Sequence, residues 1–159
     1  AGLSHPLLGL DHLLAMVAVG LWASQQSGAA RWTLPLTFVA CMLVGGVLGL
    51  GGVGMPLLEG AIAASVLAFG LLVAVAARLP MAASLGLTAL FALSHGLAHG
   101  LELPTQVNPW FYACGFLIAT AGLHAAGYAL VRSLPHSAAP LVRLAGVISA
   151  AAGVCLLAS

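Results

Sequence analysis

Two short stretches hold most of the residues that could do chemistry: His5-Pro6-Leu7-Leu8-Gly9-Leu10-Asp11-His12 and Ser94-His95-Gly96-Leu97-Ala98-His99-Gly100-Leu101-Glu102. In the second, His95 and His99 are one helical turn apart, and Glu102 follows one turn later. Such spacings stack side chains on one helix face, so two imidazoles can chelate one ion while the carboxylate completes the site or draws a cation towards it. In the first, Asp11 and His12 are adjacent and point about 100° apart on a regular helix. One can ligate while the other orients a ligand. Pro6 suits a first helical turn, which leaves His5 at the outer end, free to fold back over a cavity mouth. The combined donor set is imidazole and carboxylate without a nearby thiol. That chemistry suits Ni(II), Co(II) or Zn(II) and disfavours Cu(I).

The elements that position these residues follow from composition. Of 159 residues, 62% are hydrophobic and 4% charged, whereas a soluble domain carries about 25% charged residues. The outer face must therefore meet lipid. A net charge of +1 excludes the clustered basic surface that nucleic-acid binding needs. No phosphate-binding GxxxxGK[ST] loop is present, so the chain does not itself use ATP. Six apolar segments are long enough to be read as membrane helices: 7–23, 32–50, 57–77, 81–100, 109–131 and 141–157. Short polar or Pro-containing gaps separate them, so neighbours should be antiparallel. The expected fold is an all-α polytopic transmembrane bundle of about six helices forming a single domain, 1–159.

Charge placement orients the bundle. Arg31, Arg78, Arg132 and Arg143 fall at one end of alternating helices, and Asp11, Glu59 and Glu102 at the other. The positive-inside rule makes the arginine end cytoplasmic and puts both termini on the extracytoplasmic side of the inner membrane. Gly45 and Gly49 have the spacing that lets helix backbones approach closely. Cys41, Cys114 and Cys155 lie far apart in apolar runs and read as small buried hydrophobes. His124 lies alone, deep in the fifth segment, as a structural residue or a lower station on an ion path. His136 reads as a solvated loop residue, and Glu59 as a helix-start residue or part of that path.

The two motifs resemble those of the HupE/UreJ family of nickel and cobalt permeases. Its pattern H-P-x-x-G-x-D-H is matched by His5 to His12, and its pattern H-G-x-A-H-G-x-E by His95 to Glu102. The resemblance implies secondary uptake of Ni(II), or of Co(II) in some members, for hydrogenase or urease assembly. It implies His5, Asp11, His12, His95, His99 and Glu102 as metal-binding positions. It also implies a cleaved signal peptide, in keeping with an initial Ala1. The metal is cargo, with no resident cofactor expected and no enzymatic activity. The expected partners are the divalent ion and the bilayer; a homo-oligomer is left open. Rival readings are a membrane metal sensor or store, a b-type cytochrome using His95 and His124, and an intramembrane hydrolase using Ser94. The last lacks a GxSxG elbow.

Overall fold

A computed structural model describes residues 2–159, with only the backbone of His5. The described chain is all helical. A short α1 (His5–Leu8) leads into α2 (Leu10–Ser24), followed by α3 (Ala30–Leu50), α4 (Leu58–Ala74), α5 (Met81–Leu101), α6 (Pro109–Ser133), a 3-10 turn (His136–Ala138) and α7 (Ala139–Leu157). The first apolar segment is thus split: Gly9 adopts an extended conformation between α1 and α2. The start of α6 was legible in sequence. Pro109 opens the helix, and Asn108 caps it by accepting hydrogen bonds from the N–H groups of Trp110 and Phe111 at 3.0 and 3.3 Å.

Among the described residues, four stretches are long and apolar enough to cross a membrane: α3, α5, α6 and α7 with its leading turn. α2 and α4 are apolar but have 15 and 17 residues. At 1.5 Å per residue such helices fall short of a hydrocarbon layer of about 30 Å. The expected third segment, 57–77, is shortened at its C-terminal end, where Ala76 has φ 51° and closes α4. The Ala77 N–H reaches back to the Leu72 carbonyl, as at many helix ends with a left-handed residue.

Polarity is arranged inside out relative to a water-soluble domain. Trp110, Phe111, Ile118, Leu141 and Ile148 are exposed, whereas His12, Ser65, Thr88, His95, His99, Thr120 and His124 are buried. Cys114 and Cys155 are also exposed and Cys41 half-buried. The expectation that all three cysteines are interior residues is therefore corrected. Where the surrounding solvent is apolar, a small hydrophobe gains little by facing inward.

Close helix pairs are α3 with α5, α4 with α7, α2 with α6 and α2 with α4. Glycine makes the first three possible. A Cβ on Gly45 or Gly49 would run into the backbone of α5, and one on Gly96 or Gly100 into the backbone of α3. The glycines beside the histidines of α5 therefore admit a helix. Gly70, Gly146 and Gly153 do the same between α4 and α7, as do Gly20 and Gly127 between α2 and α6.

The two ends of α4 differ in their polar groups. At its C-terminal end, carbonyls left over by the helix accept hydrogen bonds from side chains of neighbouring elements. The Trp22 indole N–H reaches the Ala77 carbonyl at 2.9 Å, the Gln25 amide the Val73 carbonyl at 3.1 Å, and the Arg143 Nε the Ala74 carbonyl at 2.8 Å. Glu59 lies in the first turn at the other end.

Replacing Gly100 with Ala should force α3 and α5 apart and cost about 1–3 kcal/mol of stability, as overpacking does. Ala at Gly86, whose Cβ would meet open space, should have no such cost. Thermal unfolding of the two variants in one detergent checks the difference.

Candidate metal centre

The two motifs meet in space, although α2 and α5 are not among the closely packed helix pairs. Side chains bridge the gap. The ring centroid of His12 lies 4.6 Å from that of His95 and 4.8 Å from that of His99, both edge to face. All three rings are buried. His99 is also stacked on Phe116, with centroids 4.7 Å apart and planes 4° from parallel.

Hydrogen bonds assign the tautomers of two of these rings. The Asp11 Oδ1 accepts the His12 backbone N–H at 2.7 Å and lies 3.0 Å from His12 Nδ1. A carboxylate can only accept, so Nδ1 carries the proton of the neutral ring and Nε2 keeps its lone pair. Asp11 thus holds the His12 ring by a hydrogen bond. A similar argument applies to His95. The Ser65 hydroxyl gives its one proton to the Ile62 carbonyl at 2.6 Å. It must then accept from His95 Nε2, 2.8 Å away. The lone pair of His95 is therefore on Nδ1, which is buried with no hydrogen-bond partner among the described residues.

Above the rings is a polar mouth of about 220 Å³, lined by Leu8, Gly9, Asp11, His12, Glu59 and Glu102. Its three carboxylates are all the Asp and Glu residues in the chain. Glu102 caps the end of α5 and is exposed, as is Glu59. Glu59, which sequence reasoning left between a helix-start role and a path role, stands with the other two. A Cβ on Gly9 would lie 2.9 Å from Asp11 Oδ1 and 3.4 Å from His12 Nδ1, so a side chain there would displace the Asp11 carboxylate. The expected position of His5 over the mouth falls on a side chain outside the described residues.

The rings lie edge to face, and among the described residues no group of three or more His, Cys, Asp or Glu side chains is gathered as a finished metal site. The rival chemistries find little support in geometry. Ser94 donates to the Leu90 carbonyl at 3.2 Å. Phe38 packs against both His95 and His124, at centroid distances of 5.7 and 5.1 Å. His136 is exposed, in the 3-10 turn before α7. Ser65 and Phe38 were missed by sequence reasoning, because neither lies in a motif or has a charged neighbour in the chain.

Residues 1–156 match the family model described as HupE / UreJ protein. The chain belongs to the HupE/UreJ family. It is 48% identical to "Protein HupE" of Rhizobium leguminosarum bv. viciae over 158 residues, covering 99% of this chain and 83% of the relative. No solved structure matches. The HupE/UreJ family is associated with nickel and cobalt uptake and is a family of transporters rather than enzymes. A membrane protein with several apolar helices fits that membership.

Ser65→Ala should release the His95 tautomer. Nitrogen chemical shifts of labelled His95 are expected to report the Nε2–H form in the parent protein and a mixture in the variant, with Ser65→Thr restoring the first pattern. An unchanged Nε2–H signal in Ser65→Ala would show that the hydroxyl does not hold the ring.

Proposed function

We propose that this chain is a secondary permease that takes up Ni(II), with Co(II) as a second cargo, across the cytoplasmic membrane. The observation that carries this reading is the three buried imidazoles from two helices beneath a mouth lined by Asp11, Glu59 and Glu102. The carboxylates raise the local concentration of a divalent cation and attract it to the mouth. His12 Nε2 and His95 Nδ1 offer lone pairs to replace part of its hydration shell, and His99 adds a third imidazole. Asp11 acts through His12, fixing its tautomer and strengthening it as a ligand. Glu102 and His5 complete the proposed set at the rim. Binding must stay moderate, because a carrier also has to release its cargo.

The four arginines mark the opposite end and, by the positive-inside rule, the cytoplasmic side. The acidic mouth then faces outward, with both termini on its side. Ligation from α2 and α5 couples the ion to the separation of two helices that do not pack directly, and a change in that separation is the motion alternating access requires.

Purified protein in liposomes should accumulate Ni(II) from an outside solution. Binding without uptake would indicate a sensor or store instead. Replacing His12 or Asp11 with Ala should weaken Ni(II) binding about tenfold or more, similar to replacing His95 or His99. The His12 and His95 double replacement should cost less than the sum of the singles, because both act on one ion. Strict additivity, measured by titration calorimetry, would mean two separate sites.

Protons should compete with the metal. Imidazole ligates only when neutral and, unperturbed, takes up a proton near pH 6.5. Affinity should therefore fall as the pH drops from 7.5 to 5.5. Equal affinity at both values would count against imidazole ligation.

A further inference from the structure

Below the outer histidines, one buried polar group has no use in the site described so far. His124, on α6, is buried, and neither Nδ1 nor Nε2 has a hydrogen-bond partner among the described residues. A neutral imidazole has one donor and one acceptor, and burying both unmet is unfavourable. The burial persists although a Leu or Phe could fill the same volume without that cost.

Its neighbours suggest what the ring is for. Phe38, fully buried on α3, stands edge-on to His124 with centroids 5.1 Å apart and packs against His95 at 5.7 Å. Beyond it, His124 lines a groove of about 360 Å³ with Arg31, Trp32, Pro35 and Tyr128, towards the arginine end and open at the bundle surface, where Trp32 and Leu36 are exposed. Pro35 has no N–H for the Arg31 carbonyl one turn back, so that oxygen lacks its helical donor. An imidazole thus borders a groove at the arginine end, and Phe38 is in contact with both that imidazole and His95.

We propose that His124 is an inner binding station for the transported divalent cation, reached from His95 when the Phe38 ring swings aside. This rests on the carrier reading given above. The face of an aromatic ring attracts cations, so Phe38 blocks the path sterically without repelling the ion electrostatically. No carboxylate lines the groove, and Arg31 does. The station therefore binds weakly, and the ion leaves it readily. Its role is in the rate of passage, with affinity set at the outer cluster.

The test uses the full chain in proteoliposomes, with Ni(II) binding measured by calorimetry in detergent and uptake measured separately. His124→Phe keeps the aromatic packing and removes the ring nitrogens. It should bind Ni(II) within about twofold of the parent and lose about tenfold or more in uptake, the pattern of a group used after binding. His124→Gln retains a polar acceptor and should recover part of the rate, a recovery that a packing role would not produce. Uptake by His124→Phe at the parental rate overturns the inner station and leaves the outer site standing. So does a His124→Gln variant slower than His124→Phe. If His124→Phe fails to fold, the decision passes to His124→Gln, where parental binding with reduced uptake supports the station and parental uptake overturns it. A parent protein that binds and transports no Ni(II) overturns the carrier reading, and the station falls with it.

Discussion

The arrangement depends on how imidazole rings can be buried in a bundle whose outer solvent is lipid. Each ring has a donor and an acceptor to satisfy, and the interior has no bulk water to do so. For His12 and His95 the solution is the same. One ring nitrogen is held by a neighbour, Asp11 or Ser65, and the other is left with its lone pair. The held nitrogens differ, Nδ1 in His12 and Nε2 in His95. The partner therefore decides which nitrogen each ring can present to a cation. The two hydrogen bonds thus give each ring a direction.

The glycines allow this chemistry to fit. α3 and α5 approach so closely at Gly45, Gly49, Gly96 and Gly100 that a Cβ at any of these positions meets the facing backbone. α2 instead packs on α4 and α6. The α2–α5 gap is thus left to side chains, and three of those filling it are histidines. In lipid, where hydrophobicity does not drive helices together, such contacts rest on van der Waals packing and a few polar bonds. The tight α3–α5 pair gives His95 and His99 a rigid base, while His12 arrives from a helix that is not clamped to theirs.

Much of this was legible in the sequence, and the reasons differ by residue. The i, i+4 spacing of His95 and His99 survives in any helix, so their shared face could be read directly. That His12 joins them could be expected only from alternating helix direction and depth. The roles within the Asp11-His12 pair were not legible, because adjacency says only that the two point apart. The structure adds a 3.0 Å bond between them, which the proposed function reads as orientation of His12 by Asp11. Ser65 was illegible for a different reason: a lone serine in an apolar run most often bonds its own helix. Ser65 does this too, through Ile62, and meets His95 only because α4 lies beside it. The split at Gly9 and the short α2 and α4 were missed because hydropathy registers apolar length without detecting where helical geometry stops.

The charges complete a gradient along the bundle. All three carboxylates line one mouth, and buried imidazoles lie beneath it. Phe38 and His124 follow, and then a groove that includes Arg31. A divalent cation moving along that sequence meets progressively less negative charge. Attraction at the mouth therefore cannot by itself carry the ion through, since the same carboxylates would hold it back. On the proposed carrier reading, the protein needs intermediate donors whose affinity is lower than that of the outer cluster but above that of bare hydrocarbon. Neutral imidazole meets that requirement better than carboxylate, because it replaces a water ligand without adding a charge that must be overcome on release. On this argument the use of histidine inside and of Asp and Glu only at the rim follows from the need to let go.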